Sequence, residues 1–318
     1  MRIGIPNTLF AAYHLPYWRH FLMECGAEVV LSPPSESAMA DRGGKLIPPE
    51  FCIPVKIFMG HILSLLEQGV DLILVPRMNS RVKDNFFCPK FIGLPEIVKY
   101  AIRETDGRLL IPEVSCNGSH IRMLQLPGQP LAPPGWMRRA EQRANAAWEQ
   151  LLARCRRERL ILPEACRESR PAPGAAQLRI GLLGYAYNLY DPWISKGIPA
   201  KLTGLGASVL TWEMLPTDRI ERGLRALRRP VYWNFGRTLL GTGLHFLAAP
   251  ELDGIVYVST FGCGPDSVVL KWLSLEAAER QKPFLSLSLD EHAEDSHLQT
   301  RLEAFCDMLS AKKEEHAV

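Results

Sequence analysis

The chain repeats one arrangement of apolar segments, and this repeat restricts the fold more than any other feature of the sequence. A short apolar run and a turn begin at Arg2 and again at Arg179. In both halves an amphipathic segment and further apolar runs follow, the last over residues 70–75 and 252–258. Near-continuous apolar runs are typical of strands buried on both faces of a parallel sheet. The order β-α-β-α-β, found twice, predicts an α/β fold of two doubly wound, Rossmann- or flavodoxin-like parallel-sheet domains related by an internal repeat.

The segment between the two repeats predicts where the domains end. Residues 126–136 are rich in proline and glycine, whereas residues 137–160 are rich in Ala, Arg, Glu and Leu and favour a solvent-facing helix. We therefore predict one α/β domain over residues 1–125, a Pro-rich and helical linker over residues 126–177, and a second α/β domain over residues 178–318.

Composition excludes several classes of protein. The 37 Lys and Arg residues against 34 Asp and Glu residues give a net charge of +3, too even to indicate binding of nucleic acid or an anionic membrane. No apolar run reaches the roughly 18 residues of a membrane span, and the start of the chain resembles a strand and turn rather than a signal peptide. The eight cysteines are scattered without a Cys-x-x-Cys motif. We therefore expect a cytoplasmic protein.

Three cysteines stand beside proline or glycine in predicted loops. Cys88 and Cys263 follow the third strand of their repeats at near-equivalent positions, and Cys52 lies in a proline-rich segment. Ligands of open α/β sheets bind outside the carboxyl ends of the strands, so these thiols can face a cleft between the two domains. A helix is expected to begin near Pro54, where its N-terminus would stabilise a thiolate at Cys52.

Three converging thiolates suit a soft metal, but the spacing of the cysteines does not identify which metal. A cubane iron–sulfur cluster with three protein thiolates would keep one iron open to a further ligand. Zinc bound by three cysteines and a fourth ligand is an alternative, and so are buried thiols that bind no metal. Cys116 is either a fourth ligand, which would close the cluster, or a buried thiol.

Other residues near these loops have both a functional and an ordinary interpretation. Lys56 and Lys90 closely follow their cysteines. They would either raise the reduction potential of a cluster or be ordinary surface lysines. Asp266 and Ser267 are expected to cap the following helix. Four residues are candidates for moving protons to a substrate, or are ordinary surface or helix residues: Glu50, His61, Glu291 and His292.

Three segments together resemble a known family. Residues 50–56, 88–96 and 260–267, which carry the three cysteines, are similar to the signatures of 2-hydroxyacyl-CoA dehydratase-related iron–sulfur proteins. More narrowly, they resemble the group of acyl-CoA dehydratase activase-related, or CoA-substrate-specific enzyme activase-related, proteins. This group is related to the double-cubane cluster proteins. The resemblance covers most of both repeats and is weakest over residues 115–178.

The resemblance implies a [4Fe-4S] cluster in the interdomain cleft, held by Cys52, Cys88 and Cys263. A double cubane is disfavoured, because only these three cysteines stand in suitable loops. The electrons would come from an ATP-hydrolysing activator of actin-like fold on another polypeptide, since this chain shows no ATP-binding glycine loop. A homologous larger subunit or a second copy of the chain is a further expected partner.

The implied function is a reductase-like or dehydratase-like redox enzyme component. Two alternatives stay open. The chain is a non-catalytic electron relay or assembly partner of an acyl-CoA dehydratase system, or it is a cluster-free α/β protein that binds a small ligand.

Overall fold

The computed structural model describes residues 1–80, 83–115, 125–126, 129–166, 177–225, 227 and 231–315. The chain forms two compact units. Unit 1 comprises Met1–Gln150 and Val231–Asn234, and unit 2 comprises Leu151–Pro230 and Phe235–Val318. Each unit contains a four-stranded sheet of parallel strands, which confirms the predicted fold class of two doubly wound α/β sheets.

Unit 1 alternates strands and helices from its first residues. Its elements are β1 (Arg2–Ile5), α1 (Ala11–Glu24), β2 (Glu28–Leu31), α2 (Ser37–Gly44), α3 (Ile53–Glu67), β3 (Leu72–Leu74), β4 (Arg77–Met78), α4 (Pro89–Ile92), α5 (Leu94–Ala101), β5 (Leu109–Leu110), β6 (Glu113–Val114), β7 (Gln125–Leu126), β8 (Gln129–Pro130) and α6 (Pro134–Glu158). The division between the units falls inside α6.

The sheet of unit 1 has the strand order β2-β1-β3-β5. Ile3 pairs with Val29 on one side and with Leu72 on the other. Beyond the ends of β3 and β5, the short strands β4 and β6 pair with each other as a two-stranded parallel extension. The chain therefore leaves β1 toward β2 on one side and later returns to β3 on the other, so the carboxyl ends of β1 and β3 form the switch point of the sheet.

Unit 2 repeats this arrangement. Its elements are α7 (Leu162–Ala165), β9 (Leu178–Gly184), α8 (Ala186–Tyr190), α9 (Ile198–Gly204), β10 (Ala207–Leu210), α10 (Thr217–Leu224), α11 (Asn234–Leu247, whose first residue belongs to unit 1), β11 (Gly254–Thr260), α12 (Gly264–Glu279), β12 (Phe284–Leu289) and α13 (Asp295–Glu315). The strand order β10-β9-β11-β12 matches the order in unit 1.

A glycine at the same place in both repeats lets a helix pack closely on the central strand. A Cβ atom on Gly4 in β1 would lie 2.9 Å from a methyl carbon of Leu65 in α3. A Cβ atom on Gly181 in β9 would lie 2.5 Å from a ring carbon of Phe246 in α11. Both distances are shorter than real Cβ contacts, so the repeated glycine is a packing requirement of the two sheets.

Among the residues that the structure describes, no helix combines the length and apolar character needed to cross a bilayer.

Candidate functional site

Cys52 stands at the start of α3. Its carbonyl oxygen accepts hydrogen bonds from the backbone N–H groups of Val55 at 3.0 Å and Lys56 at 3.3 Å, which makes Cys52 the N-cap residue. Pro54 occupies the first turn, where the missing N–H costs no helical hydrogen bond, as the sequence predicts. The thiol is half-buried, and Lys56 is buried one turn along α3.

Cys88 has the same relation to α4. Its carbonyl oxygen accepts hydrogen bonds from Phe91 at 2.8 Å and Ile92 at 3.1 Å, and Pro89 is the first residue of the helix. The thiol is again half-buried. Two cysteines of unit 1 thus stand directly before helix N-termini.

Lys90 joins the loops of the two cysteines. Its ammonium group donates a hydrogen bond to the backbone oxygen of Glu50 at 3.1 Å and lies 4.8 Å from the ring centroid of Phe51. Burial raises the pKa of the Cys52 thiol, the nearby Lys90 charge opposes this rise, and the neighbouring Cys88 sulfur adds to it. The two sulfurs therefore lie close enough to interact electrostatically, with a cation beside them.

The segment Val231–Asn234, called the strap here, lies far along the chain and holds the loop before Cys88. Phe86 and Trp233 form a parallel β-bridge. The Phe86 N–H donates to the Tyr232 oxygen at 2.9 Å, and the Asn234 N–H donates to the Phe86 oxygen at 2.8 Å. The rings of Phe86 and Tyr232 lie 5.3 Å apart. These bonds fix the backbone two residues before Cys88, and sequence analysis missed them because the partners are almost 150 residues apart.

In unit 2, Cys263 stands at the start of α12 and has the same helix-start geometry. Its carbonyl oxygen accepts a hydrogen bond from the Ser267 N–H at 3.0 Å, and Pro265 lies in the first turn. Gly262, immediately before it, has a φ of +74°, which an L side chain rarely adopts. The glycine is thus required to turn the chain from β11 into the cysteine.

The expectation that Asp266 and Ser267 cap α12 is wrong, because Cys263 is the N-cap residue. Asp266 is buried instead and accepts a hydrogen bond from the Tyr257 hydroxyl at 2.5 Å. Burial raises the pKa of Asp266 to about 7, while the Tyr257 hydrogen bond opposes the rise. A capping residue would stand in solvent, whereas this carboxyl group ties the first turn of α12 to β11.

The candidates for proton transfer in unit 1 differ in their exposure to solvent. Glu50 is exposed in the loop before Cys52. His61 is fully buried in α3, where its Nδ1 lies 2.7 Å from the Ser32 hydroxyl and its Nε2 lies 2.9 Å from the Ser35 hydroxyl. Burial lowers the pKa of His61 to about 4, so the ring is neutral and both nitrogens are engaged.

Two further proton-transfer candidates and one possible cluster ligand remain. Glu291 and His292 belong to unit 2 and are exposed in the turn after β12. Cys116, the possible fourth ligand, lies outside the described residues.

The described residues contain no group of three or more His, Cys, Asp and Glu side chains placed to hold a metal ion. Unit 1 by itself offers two neighbouring thiols, Cys52 and Cys88, each at a helix N-terminus and both near a cation. Such a pair of sulfur donors suits two of the ligand positions of an iron–sulfur cluster, which cysteine side chains normally fill. Cys263 has the same helix-start geometry within unit 2.

A comparison with protein families finds a match. Residues 2–215, more than half of the chain, match the family described as the CoA enzyme activase uncharacterised domain. Cys52 and Cys88 lie within the matched residues, whereas Cys263 lies beyond them. The match confirms the narrower resemblance, to activase-related proteins; the kinship with dehydratase-related iron–sulfur proteins stays a prediction. No curated protein is similar enough to the chain to count as a relative.

Proposed function

We propose, from the premise that the chain belongs to the family of the CoA enzyme activase uncharacterised domain, that it is an iron–sulfur redox protein of an acyl-CoA enzyme system. In this proposal it accepts low-potential electrons from a separate ATP-hydrolysing activator of actin-like fold. It then acts as a reductase-like or dehydratase-like component. The observation that carries the proposal is the neighbouring pair of helix-start thiols, Cys52 and Cys88, with the Lys90 ammonium beside them.

Three cysteines would hold the cluster. Cys52 and Cys88 would supply two thiolates from unit 1, and the sequence argument alone assigns the third to Cys263. When bound, the cluster would supply one-electron redox chemistry, with one iron left for a non-cysteine ligand. Metal binding requires each thiol to lose its proton.

Part of the surroundings of Cys52 suits that requirement. Burial raises the pKa of its thiol, but the Lys90 charge and the backbone N–H of Val55 oppose the rise. Lys90 is also held in place through its hydrogen bond to the Glu50 backbone. We infer that this lysine stabilises the more negative, reduced state of the centre.

An electron relay is the second candidate function, and the position of His61 favours it. A dehydratase-like reaction needs an acid or base beside the substrate. His61 is neutral and buried, and both of its ring nitrogens are hydrogen-bonded to serine hydroxyls, so in this conformation neither nitrogen is available to exchange a proton with a substrate. Of the proton-transfer candidates of unit 1, only Glu50 is exposed.

Electron paramagnetic resonance separates these functions. The full chain is reconstituted anaerobically with iron and sulfide, reduced with titanium(III) citrate, and measured before and after an acyl-CoA thioester is added. A signal that the thioester changes supports an enzyme component, and a signal that it leaves unchanged supports the relay. A chain that gives no signal in the reduced state would contradict both functions and favour the cluster-free ligand-binding protein.

A further inference from the structure

Helix α12 carries apolar side chains on opposite faces. Val269, Leu273 and Ala277 are buried on the face that packs against β11 and β12. On the other face, Trp272 is 37% exposed and Leu275 is 53% exposed. A surface helix of a soluble protein normally has only one apolar face. The second apolar face of α12 is therefore a candidate binding surface.

The exposed face has an internal symmetry in its sequence. We define the α12 stripe as the exposed residues Lys271, Trp272, Leu275, Ala278 and Glu279. Lys271 and Glu279 stand four residues before and after Leu275, so a cation and an anion are equidistant from it. Trp272 and Ala278 stand three residues before and after Leu275, so a large and a small side chain are also equidistant from it.

We propose that the α12 stripe binds the same stripe of a second copy of this chain, with the two helices antiparallel and the two-fold axis at Leu275. In this arrangement Lys271 of each copy meets Glu279 of the other, which forms two equivalent ion pairs. Trp272 of each copy packs over Ala278 of the other, and the two Leu275 side chains meet on the axis. A closed two-fold contact of this kind uses the same surface on both copies.

Charge selects this orientation over the parallel one. A parallel pair in register would place Lys271 against Lys271 and Glu279 against Glu279, which repel each other. Within one helix, Lys271 and Glu279 are separated by about 12 Å along the axis, at 1.5 Å per residue. Their complementarity is therefore not used inside a single copy. Glu276, between them, already forms an ion pair with Arg280 at 3.1 Å.

The size of the stripe predicts a weak dimer. Its five residues span about two turns of helix, less than the surface that a tight complex buries. Val268, 62% exposed one turn before Trp272 and on the same side of α12, can extend the apolar contact. We therefore expect a dissociation constant in the micromolar range rather than a permanent dimer. The inference does not rest on the proposed redox function.

Sedimentation velocity of the full chain tests the proposal over about 1–100 µM protein. The wild type is expected to show a monomer–dimer equilibrium. Leu275→Glu places two like charges on the axis and is expected to raise the dissociation constant at least about tenfold. Met308→Glu is the matched control, because Met308 is an apolar residue of α13 that is 47% exposed; it should leave the equilibrium unchanged.

A charge exchange tests the orientation. Lys271→Glu alone and Glu279→Lys alone should each weaken the dimer, by about threefold or more. The double variant restores both ion pairs with their charges reversed, and is expected to return to within about twofold of the wild type. Both substitutions lie at exposed positions, so all three variants are expected to fold.

Three results would overturn the proposal. These are a wild type that is monomeric at every concentration, a dimer that Leu275→Glu does not weaken, and a double variant that is as weak as the single ones. The first would mean that another protein or another part of the chain covers the stripe. The others would mean that the copies associate through a different surface or in a different orientation.

Discussion

Two half-buried cysteines of unit 1 differ in the charges that act on the pKa of their thiols. Burial raises the pKa of both Cys25 and Cys52. Cys25 follows the C-terminus of α1, and Glu24 beside it raises its pKa further, to about 11. Cys52 precedes the N-terminus of α3, and the Lys90 charge opposes the rise. Burial therefore favours the protonated thiol at both positions, and only at Cys52 does a nearby cation offset part of this effect.

The buried, neutral His61 makes the free energy of unfolding depend on pH. Its pKa in the folded protein is about 4, below the ordinary value of 6.5, so the unfolded chain binds a proton first as the pH falls. Stability from this group is present above pH 6.5 and is lost between about pH 6.5 and 4. We predict that, from pH 7 to pH 5, the wild type loses about 2 kcal/mol more of its unfolding free energy than His61→Gln does.

Urea unfolding of both proteins at the two pH values measures this difference. The control is His292→Gln, which removes an exposed histidine and should keep the pH dependence of the wild type. The interpretation of His61 as a buried neutral group would be wrong if His61→Gln lost as much stability on acidification as the wild type does.

Individual residues were the least predictable part of the site. The sequence predicts the helix start after Cys52 from Pro54, but the equivalent start after Cys88 was not predicted. It does not indicate that Lys90 would lie beside Cys52, since this depends on how two loops pack. The prediction that Asp266 caps α12 was wrong, because a carboxylate near the start of a helix is the usual sequence signal for an N-terminal cap. Burial of that side chain against Tyr257 depends on tertiary packing.

Among the elements, the crossing of α2 and α3 is the tightest contact that bears on the site. A Cβ atom on Gly43 of α2 would lie 1.8 Å from the Lys56 carbonyl oxygen, and one on Gly60 of α3 would lie 2.2 Å from the Met39 carbonyl oxygen. The two backbones touch through these glycines. Since α3 begins directly after Cys52, this contact also fixes the position of that thiol.

Gly43→Ala is predicted to destabilise the protein by about 2 kcal/mol or more, because the backbone carbonyl of Lys56 cannot move without separating the helices. The change in unfolding free energy by urea denaturation measures this effect. Gly44→Ala, at the next residue of α2, is the matched control, because its Cβ atom would meet a side-chain carbon of Lys56 only at 3.7 Å. Equal stability of the two variants would contradict the close crossing.

At the level of elements, most of the repeat was predictable. Buried strands such as β1, β3 and β11 are continuous apolar runs, and β2 and β10 each follow a helix that ends near glycine. The two-residue strands β4, β5 and β6 were not predicted, because so short a segment has no hydrophobic period. The bridge from Phe86 to Trp233 was not predicted for another reason, since pairing of distant segments leaves no local signal.

In the whole molecule, most of unit 1 lies within the residues that match the family. The family match covers residues 2–215 and so includes the neighbouring thiols of unit 1, although it ends before Cys263. Unit 1 also includes the strap Val231–Asn234, although that segment lies far along the chain. The predicted domain boundaries at residues 125 and 178 stay predictions.

The proposed cluster is a single cubane held by Cys52, Cys88 and Cys263 together. Its most direct test is the iron and acid-labile sulfide content of the full chain after anaerobic reconstitution. The compared proteins are the wild type, the three Cys→Ala variants at these positions, and Cys25→Ala as a control with a half-buried thiol outside the proposed site.

We predict about four iron and four sulfide per wild-type chain. Each of the three ligand variants should retain less than about half of this content, because a cubane that loses one of its protein thiolates is weakly held. Cys25→Ala should match the wild type. A wild type that binds neither iron nor sulfide, or ligand variants that load as fully as the control, would contradict the claim.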